Sequence, residues 1–98
     1  MSDTAGTIRQ RVVEQLEQAA MTARDLSQAV GVPEKEIVRH LGHIARSVAR
    51  QGRRLDVIPS TCLACGFTFT QRSRLTRPGR CPQCRRSRID HPVFRILA

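Results

Sequence analysis

The first half of the chain places its apolar residues at helical intervals. From Thr7, which suits an N-cap, the run Ile8 to Ala20 has no Gly or Pro and puts Ile8, Val12, Leu16 and Ala19 on one face. This predicts a first helix. Met21 leads into Thr22-Ala23-Arg24-Asp25, a capping pattern in which Thr22 can hold a backbone amide while Asp25 complements the positive helix end. A short second helix follows, with Ala23, Leu26 and Val30 facing inward and Gly31 placed for a left-handed turn at its end. Pro33 opens a third helix that runs to Arg50, with Glu34 and Glu36 in its first turn. Ile37, Leu41, Ile44 and Val48 recur at intervals of four, three and four, which makes them its core stripe.

After Gln51-Gly52 the period shortens to two. Arg53 to Pro59 alternates with β-branched residues and reads as a strand. Gly66 to Arg72 alternates strictly, with Phe67 and Phe69 on one side and Thr68 and Thr70 on the other, and reads as a second strand. Ser73 to Arg80, containing Pro78-Gly79, reads as a basic loop. Another strand is expected from Arg85 to Ile89, and a final apolar one over residues 92–97 in which Phe94 and Ile96 share a face. Phe67, Phe69 and Phe94 all lie in this half, and so small a unit needs them for packing more than for stacking on bases. The chain is thus expected to be α+β, with a flexible N-terminus at 1–7, a helical domain at 8–52 and a β-rich domain at 53–98.

The four cysteines change the picture of the second half. They form two C-x2-C steps, Cys62-Leu63-Ala64-Cys65 and Cys81-Pro82-Gln83-Cys84, at a separation that suits a four-cysteine zinc site. Each step lets two thiolates from one tight turn grip the same ion, and two turns complete a tetrahedron. A redox dithiol would call for a βαβ context that neither pair has. Disulfides would need an oxidising compartment, and Met1 to Gly6 has no signal-peptide character. One structural Zn2+ in a small antiparallel zinc ribbon is the expectation, with the coordination sphere closed to water and substrate. No apolar run approaches the roughly 20 residues of a membrane span, so a cytoplasmic location and no membrane partner are expected.

The charge sits almost entirely in the ribbon half. Residues 1–49 hold six basic and six acidic side chains, whereas residues 50–98 hold eleven arginines against Asp56 and Asp90, giving the net +9. Zinc on four thiolates would remove about two charges and leave the ribbon strongly basic. Arginine rather than lysine favours planar, bidentate contact with phosphate over a merely solvated surface. On the third helix Lys35, Arg39, His43, Arg46 and Arg50 form a second stripe of cationic or titratable residues, so one face can pack while another meets phosphates and base edges. His40 and His43 lack matching metal ligands and read as surface histidines able to donate to a phosphate or base.

Asp25 to Leu41 resembles winged helix-turn-helix transcription regulators, in which the helix after the turn is the recognition helix. With Leu55-Asp56-Val57-Ile58-Pro59, Cys62 to Phe67 and Arg74 to Cys84, the chain resembles a small prokaryotic family of predicted transcriptional regulators. In that family a helix-turn-helix domain is fused to a zinc ribbon. The resemblance implies transcription control through double-stranded DNA and departs from the common winged pattern in one respect. Instead of a short hairpin the wing would contain the inserted ribbon, with residues 53–58 expected to pair against residues 92–97. Base readout would then fall to Lys35, Glu36, Arg39, His40 and His43. Arg46, Arg50, Arg53, Arg54, Arg72, Arg74, Arg77, Arg80, Arg85 and Arg86 would hold phosphates. Two alternatives stand beside this: an adaptor whose ribbon docks on a protein such as RNA polymerase, and an RNA or single-strand binder. An enzyme fits least, because there is no nucleophile with its base, no phosphate-cradling glycine loop and no open metal position. A homodimer is left open, with Val13, Val38 and Ala45 as candidate contacts.

Overall fold

The computed structural model describes residues 7–70 and 75–98. Helix α1 spans Ile8–Gln18 and is capped by Thr7, whose side chain accepts from the Gln10 amide at 3.0 Å. Val12 and Leu16 are buried as expected, but Ala19 is exposed at the extended C-cap and takes no part in the core. Helix α2, Ala23–Val30, carries the anticipated capping box: Asp25 N donates to Thr22 and Thr22 N donates to Asp25, each at 3.1 Å. Gly31 closes the helix in the left-handed conformation. Thr22→Ala removes one half of this reciprocal cap and is expected to lower stability by about 1 kcal/mol. Chemical denaturation measures this directly, and an unchanged midpoint would show the cap to be redundant.

Helix α3, Glu34–Arg50, starts one residue later than expected because Pro33 stays extended at the N-cap. Ile37, Leu41, Ile44 and Val48 are all buried. Its end is a Schellman turn, with Arg53 N donating to Val48 O and Gly52 N to Ala49 O. This turn delivers the chain into strand β2, Arg54–Ile58.

Three strands make one antiparallel sheet. A two-residue strand β1, Met21–Thr22, lies between α1 and α2 and was not expected from the sequence. Strand β3, Val93–Leu97, is central, in the order β1-β3-β2. The register sets Arg54 opposite Leu97 and Val57 opposite Phe94, so the anticipated pairing of residues 53–58 with 92–97 forms over these five positions. Asp56 and Arg95 face each other and form an ion pair at 2.7 Å. Alternation along β3 buries Phe94 completely among the helical residues Val12, Leu26, Ile37, Leu41 and Ile44. Phe94 therefore belongs to the helical core, although its position in the sequence groups it with the ribbon. Leu55, Val57, Ile96 and Leu75 pack against the same core. Residues 59–92, with all four cysteines, are inserted between β2 and β3.

Candidate metal centre and basic surface

The two cysteine turns are built on one plan. In the first, Cys62 N donates to Phe67 O at 2.8 Å and Gly66 N to Cys62 O at 2.9 Å. In the second, Cys81 N donates to Arg86 O at 2.9 Å and Arg85 N to Cys81 O at 2.8 Å. Each turn closes through a left-handed residue, Gly66 at φ 83° and Arg85 at φ 65°. The amides of Gln83 and Cys84 point at the Cys81 sulfur at 3.4 and 3.5 Å, and those of Ala64 and Cys65 do the same for Cys62. Such N–H donors stabilise a thiolate in place.

Sheet pairing inside the ribbon is sparser than the alternation implies. The expected strand at 66–72, described only as far as residue 70, and the one at 85–89 contribute isolated bridges, Thr61 with Thr68 and Cys62 with Ile89, rather than ladders. Turn geometry imposed by the cysteine steps takes precedence over strand propensity there. Asp90 adds a clamp by accepting from the Thr61 amide, while its own amide donates to Thr61 O at 3.1 Å. Phe67 and Phe69 share a side, as expected, and pack edge to face with centroids 5.0 Å apart. Both are half-buried in each other's company, which leaves the helical core to Phe94.

The four sulfurs lie within 4.8 Å of one another, and none is in a disulfide. Two of the edges are Cys62–Cys84 at 3.5 Å and Cys65–Cys81 at 3.6 Å. A tetrahedron with metal–sulfur bonds of 2.3 Å has edges of about 3.8 Å, so the cluster fits one zinc ion. Proton affinity is divided unevenly across it. Burial raises the Cys62 thiol, but the Cys65 and Ala64 amides outweigh burial and bring it to about 7. The Phe67 amide favours the Cys65 thiolate, yet burial and hydrogen bonding to the other three sulfurs push that thiol up to about 12. A divalent cation replaces the proton that Cys65 would otherwise keep. Four thiolates fill the sphere, so the ion's contribution is to the fold.

The candidate nucleic-acid residues separate into free and committed groups. Lys35, Arg39, Arg46 and Arg50 are exposed along α3, with His43 half-buried among them, opposite the buried stripe. Glu36 pairs with Arg39, so the cationic stripe is flanked by an acid after all; an exposed pair of this kind is worth only about 0–1 kcal/mol and opens readily. His40 accepts at Nδ1 from Arg9 Nε at 3.5 Å, which ties α3 to α1. Burial, then the charges of Arg39 and Arg9, hold its pKa below the ordinary value, so at neutral pH it is a neutral ring with Nε2–H as its donor. Arg53 is a structural tie, paired with Glu17 at 3.0 Å across the end of α3 and α1. Arg54 lies 4.0 Å from Asp56, and Arg77 donates to Ile89 O at 3.4 Å. By contrast Arg80, Arg85 and Arg86 are exposed, and no ion pair engages them among the described residues. Arg88 shares that character and was not singled out beforehand, although its place within the same arginine run was a visible signal. Arg72 and Arg74 lie outside the described residues.

These elements define the class: an α+β chain with, among the described residues, three helices and a three-stranded antiparallel sheet, stabilised by a four-cysteine zinc ribbon threaded between two of its strands. Among the described residues no helix is long and apolar enough to cross a membrane. The chain belongs to the PF0610-like family, whose N-terminal model matches residues 7–55. The model described as the PF0610 rubredoxin-like zinc beta-ribbon domain matches residues 59–98. The chain is similar to protein PF0610 from Pyrococcus furiosus, whose solution NMR structure aligns with a TM-score of 0.79 at 26% identity, covering 100% of this chain and 95% of that one. No curated protein matches.

Proposed function

We propose that this chain is a zinc-stabilised regulator that binds duplex DNA in the manner of a winged helix-turn-helix, with α3 in the major groove. The observation that carries the reading is the two-sidedness of α3. Its buried stripe is fixed to the core by Ile37, Leu41, Ile44 and Val48, while Lys35, Arg39, Arg46 and Arg50 stand in solvent. The order α1-β1-α2-α3-β2-β3, with β3 between β1 and β2, supports it as a winged arrangement whose wing hairpin carries the ribbon. Phosphate contacts position such a protein and base edges specify its site. In this reading the zinc has no catalytic part.

Binding to a random-sequence duplex, with a matched single strand as competitor, tests the proposal. The duplex is expected to bind better, and log affinity to fall linearly with log salt at about −0.9 per phosphate contact. Arg46→Ala is expected to make that slope shallower by about one contact. Preference for the single strand would replace this reading with an RNA or single-strand binder. Absence of binding to either at low salt would favour a protein adaptor, for which Leu63, 59% exposed on the first cysteine turn, offers an apolar contact.

A further inference from the structure

The two cysteine turns match bond for bond in their backbone but differ in what they present. The first carries Leu63, Ala64 and Gly66, with no charge; the second is followed by Arg85, Arg86 and Arg88 and preceded by Arg80, all exposed. The residue that closes each turn must be left-handed, a conformation that glycine adopts freely and that crowds the Cβ of any other residue. Gly66 meets that demand without strain at φ 83°, whereas Arg85 meets it at φ 65° with a long cationic side chain. The fold alone would be better served by glycine at both places. Backbone strain of this kind, held where glycine would suffice, directs attention to the side chain.

We infer that the second cysteine turn is the ribbon's phosphate-binding end, with Arg85 its central contact, held in a strained backbone for the sake of its guanidinium. This rests on the duplex-binding reading above and assigns within it a contact remote in sequence from α3. Among the described residues, the acids of this half are engaged elsewhere: Asp56 with Arg95 and Asp90 with the Thr61 amide. No carboxylate among the described residues therefore pairs with Arg80, Arg85, Arg86 or Arg88. A bare guanidinium is suited to bidentate contact with a phosphate diester. The molecule measures 50 × 28 × 19 Å, and its long axis exceeds one turn of B-DNA, about 34 Å. A molecule of this length is long enough to touch one duplex at two places.

The test compares the zinc-loaded wild type with Arg85→Gly, Arg85→Lys and Gly66→Ala. Stability is read by chemical denaturation, zinc stoichiometry confirms loading, and a random 30-base-pair duplex is titrated across a salt series. Arg85→Gly is expected to keep its zinc and raise the folding equilibrium constant about tenfold, since the left-handed strain is relieved. It is also expected to bind the duplex several-fold more weakly, with a salt slope shallower by about one. Arg85→Lys keeps the charge and most of the slope; Gly66→Ala lowers stability and leaves the slope alone. If Arg85→Gly binds like the wild type while Arg46→Ala weakens binding, the assignment of the second turn is wrong and the duplex reading stands. If the wild type itself binds no duplex at low salt, both fall together.

Discussion

Cys81→Ser is expected to abolish zinc retention and unfold residues 59–92, while the far-ultraviolet circular dichroism of α1, α2 and α3 persists. The ribbon has little else to hold it. Among the described residues its buried positions are Ser60, Cys62, Pro78, Cys81, Ile89 and Pro92, with Phe67 and Phe69 half-buried, and its segments meet at isolated bridges. Structural zinc contributes on the order of 10–16 kcal/mol of apparent binding energy in such small units, far more than those contacts can supply. The helical half has its own core, but it depends on β3, which the ribbon returns to it. With the ribbon unfolded, β2 and β3 are joined by a loop of about 34 residues, whose closure costs roughly 2 kcal/mol more than that of a four-residue hairpin. The surviving helices should therefore melt earlier than in the loaded protein without disappearing. Chelation of zinc from the unmodified chain should reproduce the result. Complete loss of helical signal at 25 °C would show that the two halves fold as one unit.

Phe94→Ala is expected to do the reverse: collapse the helical half and spare the metal centre. Phe94 is the largest fully buried side chain, and it fills the space where all three helices meet the sheet. Truncation of a buried phenylalanine costs about 3–5 kcal/mol, from lost transfer energy and the cavity that remains. A chain of this size has about 5–15 kcal/mol in total, so the variant should be largely unfolded or melt far below the wild type. All four zinc ligands lie between β2 and β3 and outside the cavity, so stoichiometric zinc should still be retained. A loss below 1 kcal/mol by denaturation would mean that the core closes around the gap. Together the two variants separate the contributions that the chain order interleaves.

Much of this architecture was legible in the residues. The stripes on α1, α2 and α3 obey helical periodicity, Thr22 and Asp25 announce a capping box, and the cysteine spacing announces the metal. These signals are local, and local chemistry enforces them. What escaped was set by tertiary context. Strand β1 has only Met21 and Thr22, too short for any alternation to register, and exists because Phe94 and Val93 offer it a partner. Phe94 looked like a ribbon residue because of its place in the chain, but the register opposite Val57 turns it toward the helices. The alternation from Gly66 onward promised a strand, but over the described residues 66–70 the cysteine turn leaves only an isolated bridge. In the same way a count of arginines does not distinguish Arg53, spent on Glu17, from Arg80, which is paired with nothing among the described residues.

The central place of β3 in the sheet also governs when the protein can fold. Strand β1 pairs only with β3, so its hydrogen bonds join residues separated by roughly 70 positions, the kind of distant contact that slows folding. During synthesis α1, α2 and α3 emerge before β3, so the seat for Phe94 stays open until that strand has left the ribosome. Until then the growing chain exposes Val12, Leu26 and Ile37 along an unfilled seam. A ribbon that captures zinc before β3 is made would turn the chain that follows Cys84 back toward β2, so the metal would set the pace at which the helices receive Phe94.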